Sequence, residues 1–315
     1  MAELPAVAGA DRATAHRYFD DFALRRLPAA LATARQDTVT AAMAPLAEMF
    51  GDADGMVQLS REQARGRAGN FEIIEHILRA QPGGVPSTWG HHFDDYLLHA
   101  PITDQHRKKI AHQAALIESA LGSDPADVPS TAPARHRPPH PAERVRRRRR
   151  PAPGRPALLH PADRLVLNDV DPDALQHALT HLPPATRAQT AAGPGNVLRT
   201  AARLAADHGP FGLVLAGGLF DYLEERFARA LIRTTLSRMC RPGGTFYFSK
   251  IATPNPYAAL MTHIGRWNLV ERTLADIEAD VRAAAPPGTV AGLDITADAT
   301  GLTLFATVRC ADEPG

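Results

Sequence analysis

The segment of residues 211–256 constrains the fold of this chain most, because two apolar strand patterns flank an amphipathic helix there. Residues 211–216 form a short apolar run followed by two glycines, which predicts a buried strand ending in a turn. Residues 221–240 carry apolar side chains at helical spacing, and the Arg-Pro-Gly-Gly sequence behind them is expected to end that helix. Residues 245–251 predict a second strand, since aromatic and β-branched residues dominate them.

Strand, helix and strand in this order predict a right-handed parallel crossover, the basic unit of an open α/β sheet. Ligands of such sheets bind beyond the carboxyl ends of the strands. Residues 217–222 and 250–255 follow the two strands at that edge, so they are the first candidates for a functional site.

Composition and charge exclude several other classes of protein. The 315 residues carry a formal net charge of +1, which makes nucleic acid an unlikely main partner. The two cysteines, Cys240 and Cys310, are too few for a disulfide framework or a metal cluster. We find no signal-peptide pattern and no apolar run long enough to cross a bilayer, so we expect a cytoplasmic protein. Composition does not fix the oligomeric state, and a homo-oligomer is compatible with it.

Residues 1–127 read as a helical region that caps the α/β unit. Residues 13–27 and 37–50 are rich in alanine and leucine, and Pro28 is expected to end the first of these helices. A further helix is predicted from Thr103, as N-cap, to residue 121.

Histidines and carboxylates are concentrated in residues 89–96, with His91, His92, Asp94 and Asp95. Imidazole and carboxylate groups suit zinc or iron, so one interpretation is a metal site. The other is the polar face of a helix whose opposite face packs in the core. We favour the second and predict no metal, because metal sites usually draw ligands from more dispersed positions.

Residues 128–157 differ from their surroundings, since proline and arginine dominate them and residues 146–150 are all arginine. The usual interpretation is a disordered linker. A nucleotide-binding α/β domain, however, would place its first strand and glycine-rich turn here. Arginine codons of a GC-rich gene, read one base later, can encode Val-Val-Gly-Ala-Gly. We therefore hypothesise that part of this segment is an out-of-frame translation of that element.

The next predicted strand, residues 164–168, ends in Asp169. An acidic residue at such a strand end commonly binds ribose hydroxyls, and we favour that role for Asp169. The structural alternative is that Asp171 or Asp173 caps the helix beginning at Pro172.

Further along, Gly195 and Asn196 precede a predicted helix at residues 197–208. Near the C-terminus, residues 290–297 and 302–310 predict an antiparallel hairpin.

These elements, in this order, resemble the class I S-adenosylmethionine-dependent methyltransferases. More narrowly, the chain is similar to the bacterial family that makes the methyl ester of 3-hydroxypalmitic acid. The most specific matches are Gly218-Leu219-Phe220-Asp221-Tyr222-Leu223 and Leu167-Asn168-Asp169-Val170-Asp171-Pro172. The resemblance implies a Rossmann-like sheet at residues 158–315 with a C-terminal antiparallel hairpin, preceded by the helical cap.

The resemblance also implies a site for S-adenosylmethionine at the sheet edge. The residues expected to bind this cofactor are Asp169, Val170, Gly195, Asn196, Val197, Gly217, Gly218 and Leu219. Asp221, Tyr222 and His263 are expected to orient the acceptor, a small-molecule carboxylic acid. Packing of Tyr222 against Phe220 is the structural alternative.

Two hypotheses on function therefore stand. The first is an S-adenosylmethionine-dependent O-methyltransferase that forms a methyl ester on a carboxylic acid. The second is a protein of the same fold that has lost donor binding and acts as a partner subunit or scaffold, since the glycine loop is missing. Nucleic-acid binding through residues 146–150 is a third and weaker hypothesis, because a basic run supplies charge but no readout.

Overall fold

The computed structural model describes residues 11–33, 36–51, 54–63, 66, 69–86, 88–121 and 163–312. The predictions for residues 128–157, including the arginine run and its reading frame, lie outside the described residues. None of the described helices is both long enough and apolar enough to cross a membrane.

The first described region, residues 11–121, consists of helices. They are α1 (Arg12–Asp21), α2 (Leu27–Thr33), α3 (Gln36–Phe50), α4 (Met56–Glu62), α5 (Phe71–Arg79), α6 (Trp89–His99) and α7 (Pro101–Leu121). The helix end predicted at Pro28 is wrong, because a π-helical turn at Phe22–Arg26 leads directly into α2. Proline lacks an N–H and crowds the carbonyl four residues earlier, and the wider turn before it relieves that crowding.

The helices share one hydrophobic core with the second half of the chain. Phe19, Phe93 and Ile73 are fully buried in a cluster that also contains Ile251 and Trp267. Helical region and α/β region therefore pack as one body, and the helices cover one side of the sheet elements.

The second described region, residues 163–312, alternates strands and helices, so the prediction of a mixed α/β fold is confirmed. The strands are β1 (Leu165–Asp169), β2 (Thr190–Pro194), β3 (Phe211–Ala216), β4 (Cys240–Ile251), β5 (Val290–Ala297) and β6 (Thr303–Cys310). The helices are α8 (Pro172–His181), α9 (Pro184–Ala188), α10 (Val197–His208), α11 (Glu225–Thr234), α12 (Ala258–His263) and α13 (Leu274–Ala284). A 3₁₀ turn at Leu219–Tyr222 follows β3, and a π-helical turn at Thr235–Met239 follows α11.

Two local expectations are corrected by the strand bounds. β4 begins at Cys240, so the Arg-Pro-Gly-Gly sequence lies within the strand and not in a turn after the helix. The pairing of β3 with β4 shifts register at this point. Gly243 lies in the irregular part of β4 and has a φ of +69°, a conformation that glycine adopts readily. β2 is not predicted by the sequence, because its residues have little intrinsic preference for a strand.

The described strands form two sheets, not the single sheet that the sequence predicts. β1 pairs with β2 in parallel, and a separate sheet has the order β3-β4-β6-β5. β3 and β4 are parallel, whereas β6 is antiparallel to both β4 and β5. β1 and β3 are not hydrogen-bonded to each other, so a gap separates the two sheets.

The amphipathic helix packs on the four-stranded sheet as its spacing predicts. Ala228, Ile232, Leu236 and Met239 are all buried, with at most 7% exposure. The same side of the sheet carries α13, whose N-terminus is closed by a capping box of Thr273 and Asp276.

Candidate functional site

A cavity of about 730 Å³ lies in the gap between β1 and β3. At one end it is lined by residues at the end of β1 or directly after β1, β2 and β3, and we call this end the rim. The rim contains all eight residues predicted to bind the cofactor: Asp169, Val170, Gly195, Asn196, Val197, Gly217, Gly218 and Leu219. The part between the strands, lined by Leu165, Val166, Leu213 and Val214, is called the slot.

The end of β1 is fixed to the turn that follows β2. The Asn168 side chain donates to the backbone carbonyl oxygens of Gly193 and Gly195, the latter at 3.1 Å. The backbone oxygen of Asp169 accepts from the N–H of Gly195 at 2.8 Å. The Asp169 carboxylate accepts from the backbone N–H of Asp171 at 2.9 Å and is half-buried at the rim. It is thus held in place at the cavity wall, and the separate cap of α8 comes from Asp171.

The turn after β2 approaches the cavity with a backbone conformation that favours glycine. Gly195 has a φ of +136°, and a Cβ there would come within 2.9 Å of the Thr200 side chain. Asn196 caps α10 by accepting from the N–H of Leu198 at 3.0 Å. Val197 therefore begins a helix whose N-terminal end faces the rim.

The turn after β3 forms the third wall of the rim. A Cβ on Gly217 would lie 2.3 Å from the Gln113 side chain, so α7 packs directly on this turn. The N–H of Gly218 donates to the Ser249 hydroxyl at 3.0 Å, which ties the turn to β4. The sheet edge and α7 thus enclose the rim from two sides.

Asp221 is buried and fully engaged with neighbouring groups. Its carboxylate accepts from Lys109 Nζ at 2.7 Å and from the backbone N–H of Ile251 at 2.5 Å. Its backbone oxygen accepts from the N–H of Val270 at 2.8 Å. Asp221 and Lys109 are each only 3% exposed. The carboxylate thus joins α7 to β4, whereas the backbone oxygen ties the same turn to the segment before α13, and Asp221 also lines the cavity.

A second lysine lies close to the same turn. Lys250 is 3% exposed and donates to the backbone oxygen of Phe220. Burial lowers the pKa of Lys250 to about 8, although the nearby Asp221 carboxylate favours the charged form. Two buried lysines, Lys109 and Lys250, therefore lie close to the single buried carboxylate of Asp221.

Aromatic side chains line the cavity beyond the rim. Tyr222 Oη accepts from Trp267 Nε1 at 2.8 Å, and the Trp267 ring stacks on His106 with ring centres 5.5 Å apart. Burial, with the charges of Lys109 and Arg107, lowers the pKa of His106 well below its usual range. At this end of the cavity, neutral aromatic rings therefore lie beside the ammonium group of Lys109.

Two sequence predictions concern residues placed elsewhere. His263 lies on α12 and is not among the residues that line the cavity. In α6, Asp94 is buried and accepts from His76 at 2.8 Å, whereas Asp95 is part-buried and pairs with the exposed Arg12. Among the residues that the structure describes, no group of three or more His, Cys, Asp or Glu side chains is placed to hold a metal ion.

The sequence analysis assigned no role at the site to the face of α7 that covers it. His106, Lys109 and Gln113 line the cavity and follow each other at spacings of three and four residues. This is the spacing of one helix face, so the pattern marks a polar stripe on an otherwise buried helix. It does not identify the partner of Lys109, which lies 112 residues further along the chain.

Comparison with solved structures finds the same overall fold in a possible exported protein from Bordetella parapertussis. The two share 14% identity with a TM-score of 0.54, over 98% of this chain and 100% of that chain. The N-methyltransferase NodS from Bradyrhizobium japonicum WM9 in complex with S-adenosyl-l-homocysteine matches at a TM-score of 0.33 and 19% identity, over 47% of this chain and 66% of that chain. An O-methyltransferase family protein from Burkholderia thailandensis matches at 0.35 and 19% identity, over 46% and 43%.

TM-scores as low as those of the two methyltransferases do not establish a common fold over the whole chain. Neither a family model nor a curated protein matches the sequence.

Proposed function

We propose that this protein is an S-adenosylmethionine-dependent O-methyltransferase that forms a methyl ester on a small carboxylic acid. The observation that carries the proposal is the rim: three strand ends, with an acidic residue at the end of β1 and glycines after β2 and β3, border one cavity. This is the place where open α/β sheets bind nucleotides. The acceptor class rests on the family resemblance of the sequence.

The rim residues suit an adenosyl group in chemical type. Asp169 offers a carboxylate acceptor at a strand tip, where a ribose diol can donate to it. Val197 and Leu198 add apolar surface beside it for a purine ring. Gly218 adds no side chain to the wall after β3, and a Cβ there would meet only the Asp221 side chain, at 4.0 Å, so that the methionine portion can approach the backbone at this point.

When bound, S-adenosylmethionine supplies an electrophilic methyl group on a sulfonium centre. A carboxylic acid acceptor would already be ionised, so no residue of the site would need to act as a base. The protein then has to align the two reactants and exclude water. We assign that task to Tyr222 and Trp267, whose hydrogen-bonded rings close the cavity beside the 3₁₀ turn. Asp221 positions this turn through its buried ion pair with Lys109.

Calorimetry with S-adenosylmethionine tests the proposal. We expect binding by the native chain and at least about tenfold weaker binding by Asp169→Ala, since a charge-assisted hydrogen bond is worth about 1.5–3 kcal/mol. The matched control is Asp173→Ala, because Asp173 lies four residues further along, in the first turn of α8, is exposed and does not line the cavity. Equal loss in both variants, or binding that Asp169→Ala leaves unchanged, would contradict the assignment.

A second candidate function is a scaffold of the same fold without donor binding. The slot favours it, because β1 and β3 leave a space in the sheet beside the rim where an α/β nucleotide site has a strand and glycine turn. A folded sample that shows no heat of binding with S-adenosylmethionine would support the scaffold and reject the enzyme.

A further inference from the structure

The face of α7 that covers the cavity runs from the end lined by Trp267, which we call the aromatic end, to the rim. At the aromatic end, His106 stacks on Trp267 with ring centres 5.5 Å apart. At the rim, Gln113 packs on Gly217, since a Cβ on that glycine would lie 2.3 Å from the Gln113 side chain. An α-helix rises about 1.5 Å per residue, so Lys109 lies about 4.5 Å along the axis from His106 and about 6 Å from Gln113. Lys109 therefore lies between the two ends of the cavity.

Lys109 places a buried ammonium group in the wall of the cavity. The residue is 3% exposed and lines the cavity, and its Nζ donates to Asp221 Oδ2 at 2.7 Å. An ammonium group has three N–H donors, so Lys109 can hold this ion pair and donate to a second anion as well. The Asp221 carboxylate also accepts from the backbone N–H of Ile251, so its position does not depend on Lys109 alone.

Positive charge exceeds negative charge in the cluster behind Lys109. Lys250 is also 3% exposed, and burial lowers its pKa to about 8, with the charges of Arg272 and Lys109 acting in the same direction. The carboxylates of Asp221 and Asp280 oppose this shift. These three cations and two carboxylates carry a formal net charge of +1 at neutral pH. An anion beside Lys109 would balance that charge.

The other cation among the described residues that line the cavity is less well placed to receive an anion at the rim. Arg164 is exposed and immediately precedes β1, at the end of the strand opposite the rim. Glu75 also lines the cavity, but its side chain is 43% exposed and pairs with His177 at 3.3 Å, so water screens its charge. The position of Lys109 is therefore the one at which a buried anion finds a buried cation.

We propose that Lys109 binds the carboxylate of the acceptor and thereby selects anionic acceptors over neutral ones. This inference rests on the proposed function, in which the rim holds the donor and the aromatic end holds the body of the acceptor. The carboxylate then has to lie where these two parts of the cavity meet, and Lys109 lies there. A buried ammonium group favours a carboxylate over an amide or alcohol of similar shape, because only the anion balances its charge. Binding through Nζ also fixes the orientation of the carboxylate.

Acetate is the probe for this site, because it is the smallest carboxylate that resembles an acceptor. The chain has two tryptophans: Trp267 at the site, and Trp89, which packs against Tyr18 and Phe19 in the helical region. Fluorotryptophan labelling of the full chain gives one fluorine signal for each of them. We expect acetate to shift the Trp267 signal saturably and to leave the Trp89 signal in place. Neutral acetamide, and chloride at the same ionic strength, should shift neither signal.

Two variants test Lys109 with opposite expected signs. Asp221→Asn removes the anion that competes for Lys109, so acetate should bind at least about tenfold more tightly than to the native chain. Lys109→Met/Asp221→Asn removes the cation without leaving a buried carboxylate unpaired, so acetate should bind at least about tenfold more weakly than to the native chain. Lys108→Met is the matched control, because Lys108 pairs with Asp104 on the same helix and does not line the cavity. Its affinity for acetate should equal that of the native chain.

A shift of Trp267 that acetamide produces as well, or no saturable shift with acetate, would overturn the proposal. Native affinity in Lys109→Met/Asp221→Asn, or no tightening in Asp221→Asn, would also overturn it. If the double variant does not fold, Asp221→Asn and the comparison of acetate with acetamide decide the question.

The titrations contain no S-adenosylmethionine, so their result is separate from that of the proposed function. Donor binding without the acetate effects would reject the role of Lys109 and leave a methyltransferase with another acceptor group. The acetate effects without donor binding would reject the methyltransferase and leave the anion site at Lys109.

Discussion

The buried pair of Lys109 and Asp221 gives the sharpest test of how the helical region is held on the sheet. Both side chains are 4% exposed, and Lys109 Nζ lies 2.7 Å from Asp221 Oδ2. Lys109→Met removes the cation and leaves the carboxylate in the core with the N–H of Ile251 as its remaining close donor among the contacts described above. A buried charge left without its partner costs about 3–5 kcal/mol. We expect that loss in the free energy of unfolding.

The neighbouring residue supplies a matched control. Lys108 pairs with Asp104 on the same helix, with side chains 33% and 40% exposed, so Lys108→Met is expected to cost less than about 1 kcal/mol. Urea unfolding followed by circular dichroism measures both variants. Adding Asp221→Asn to Lys109→Met should recover about 2 kcal/mol, because the uncompensated charge is gone. If Lys109→Met and Lys108→Met cost the same, the pair does not clamp α7 and the reasoning is refuted.

Three further predictions concern buried polar groups. Burial lowers the pKa of Lys250 from 10.5 to about 8. Between pH 8 and 10.5 the unfolded chain therefore binds more protons than the folded chain, so the free energy of unfolding should rise with pH by about 3 kcal/mol. Urea unfolding measures the rise, and Lys250→Met should abolish it. Trp267→Phe removes the 2.8 Å hydrogen bond to Tyr222 and should cost about 1 kcal/mol, and a double-mutant cycle with Tyr222→Phe should show coupling. Asp94 is buried and accepts from two backbone amides and a histidine, so Asp94→Asn should lower the thermal midpoint more than Asp95→Asn, since Asp95 is part-buried and its partner Arg12 is exposed. Equal shifts would contradict this.

Each of these perturbations acts on a contact between distant parts of the chain. Lys109 and Asp221 are 112 residues apart, and Tyr222 and Trp267 are 45 apart. The rim therefore depends on the docking of α7 and of the segment after α12 as much as on the strands themselves. Variants at these contacts are expected to change ligand binding together with stability.

The sequence alone predicted the elements whose signals are local. The apolar runs of β3 and β5, the helix at Val197–His208 and the buried face of α11 follow from side-chain periodicity within a few residues. The acidic residue at the end of β1 and the glycines after β2 and β3 also marked the rim, because strand ends of a parallel sheet meet at one edge.

Tertiary structure decided which strands pair and which distant side chains meet, because side-chain periodicity carries no information on either. β2 is a strand because β1 offers its edge to residues 190–194, which have little preference of their own. Lys109 forms its ion pair with Asp221 because α7 docks on the sheet. His263 does not line the cavity, although it is close in sequence to Trp267, which does. The sequences of β1 and β3 do not predict the gap between them, since strand pairing depends on which strands the rest of the fold places next to each other.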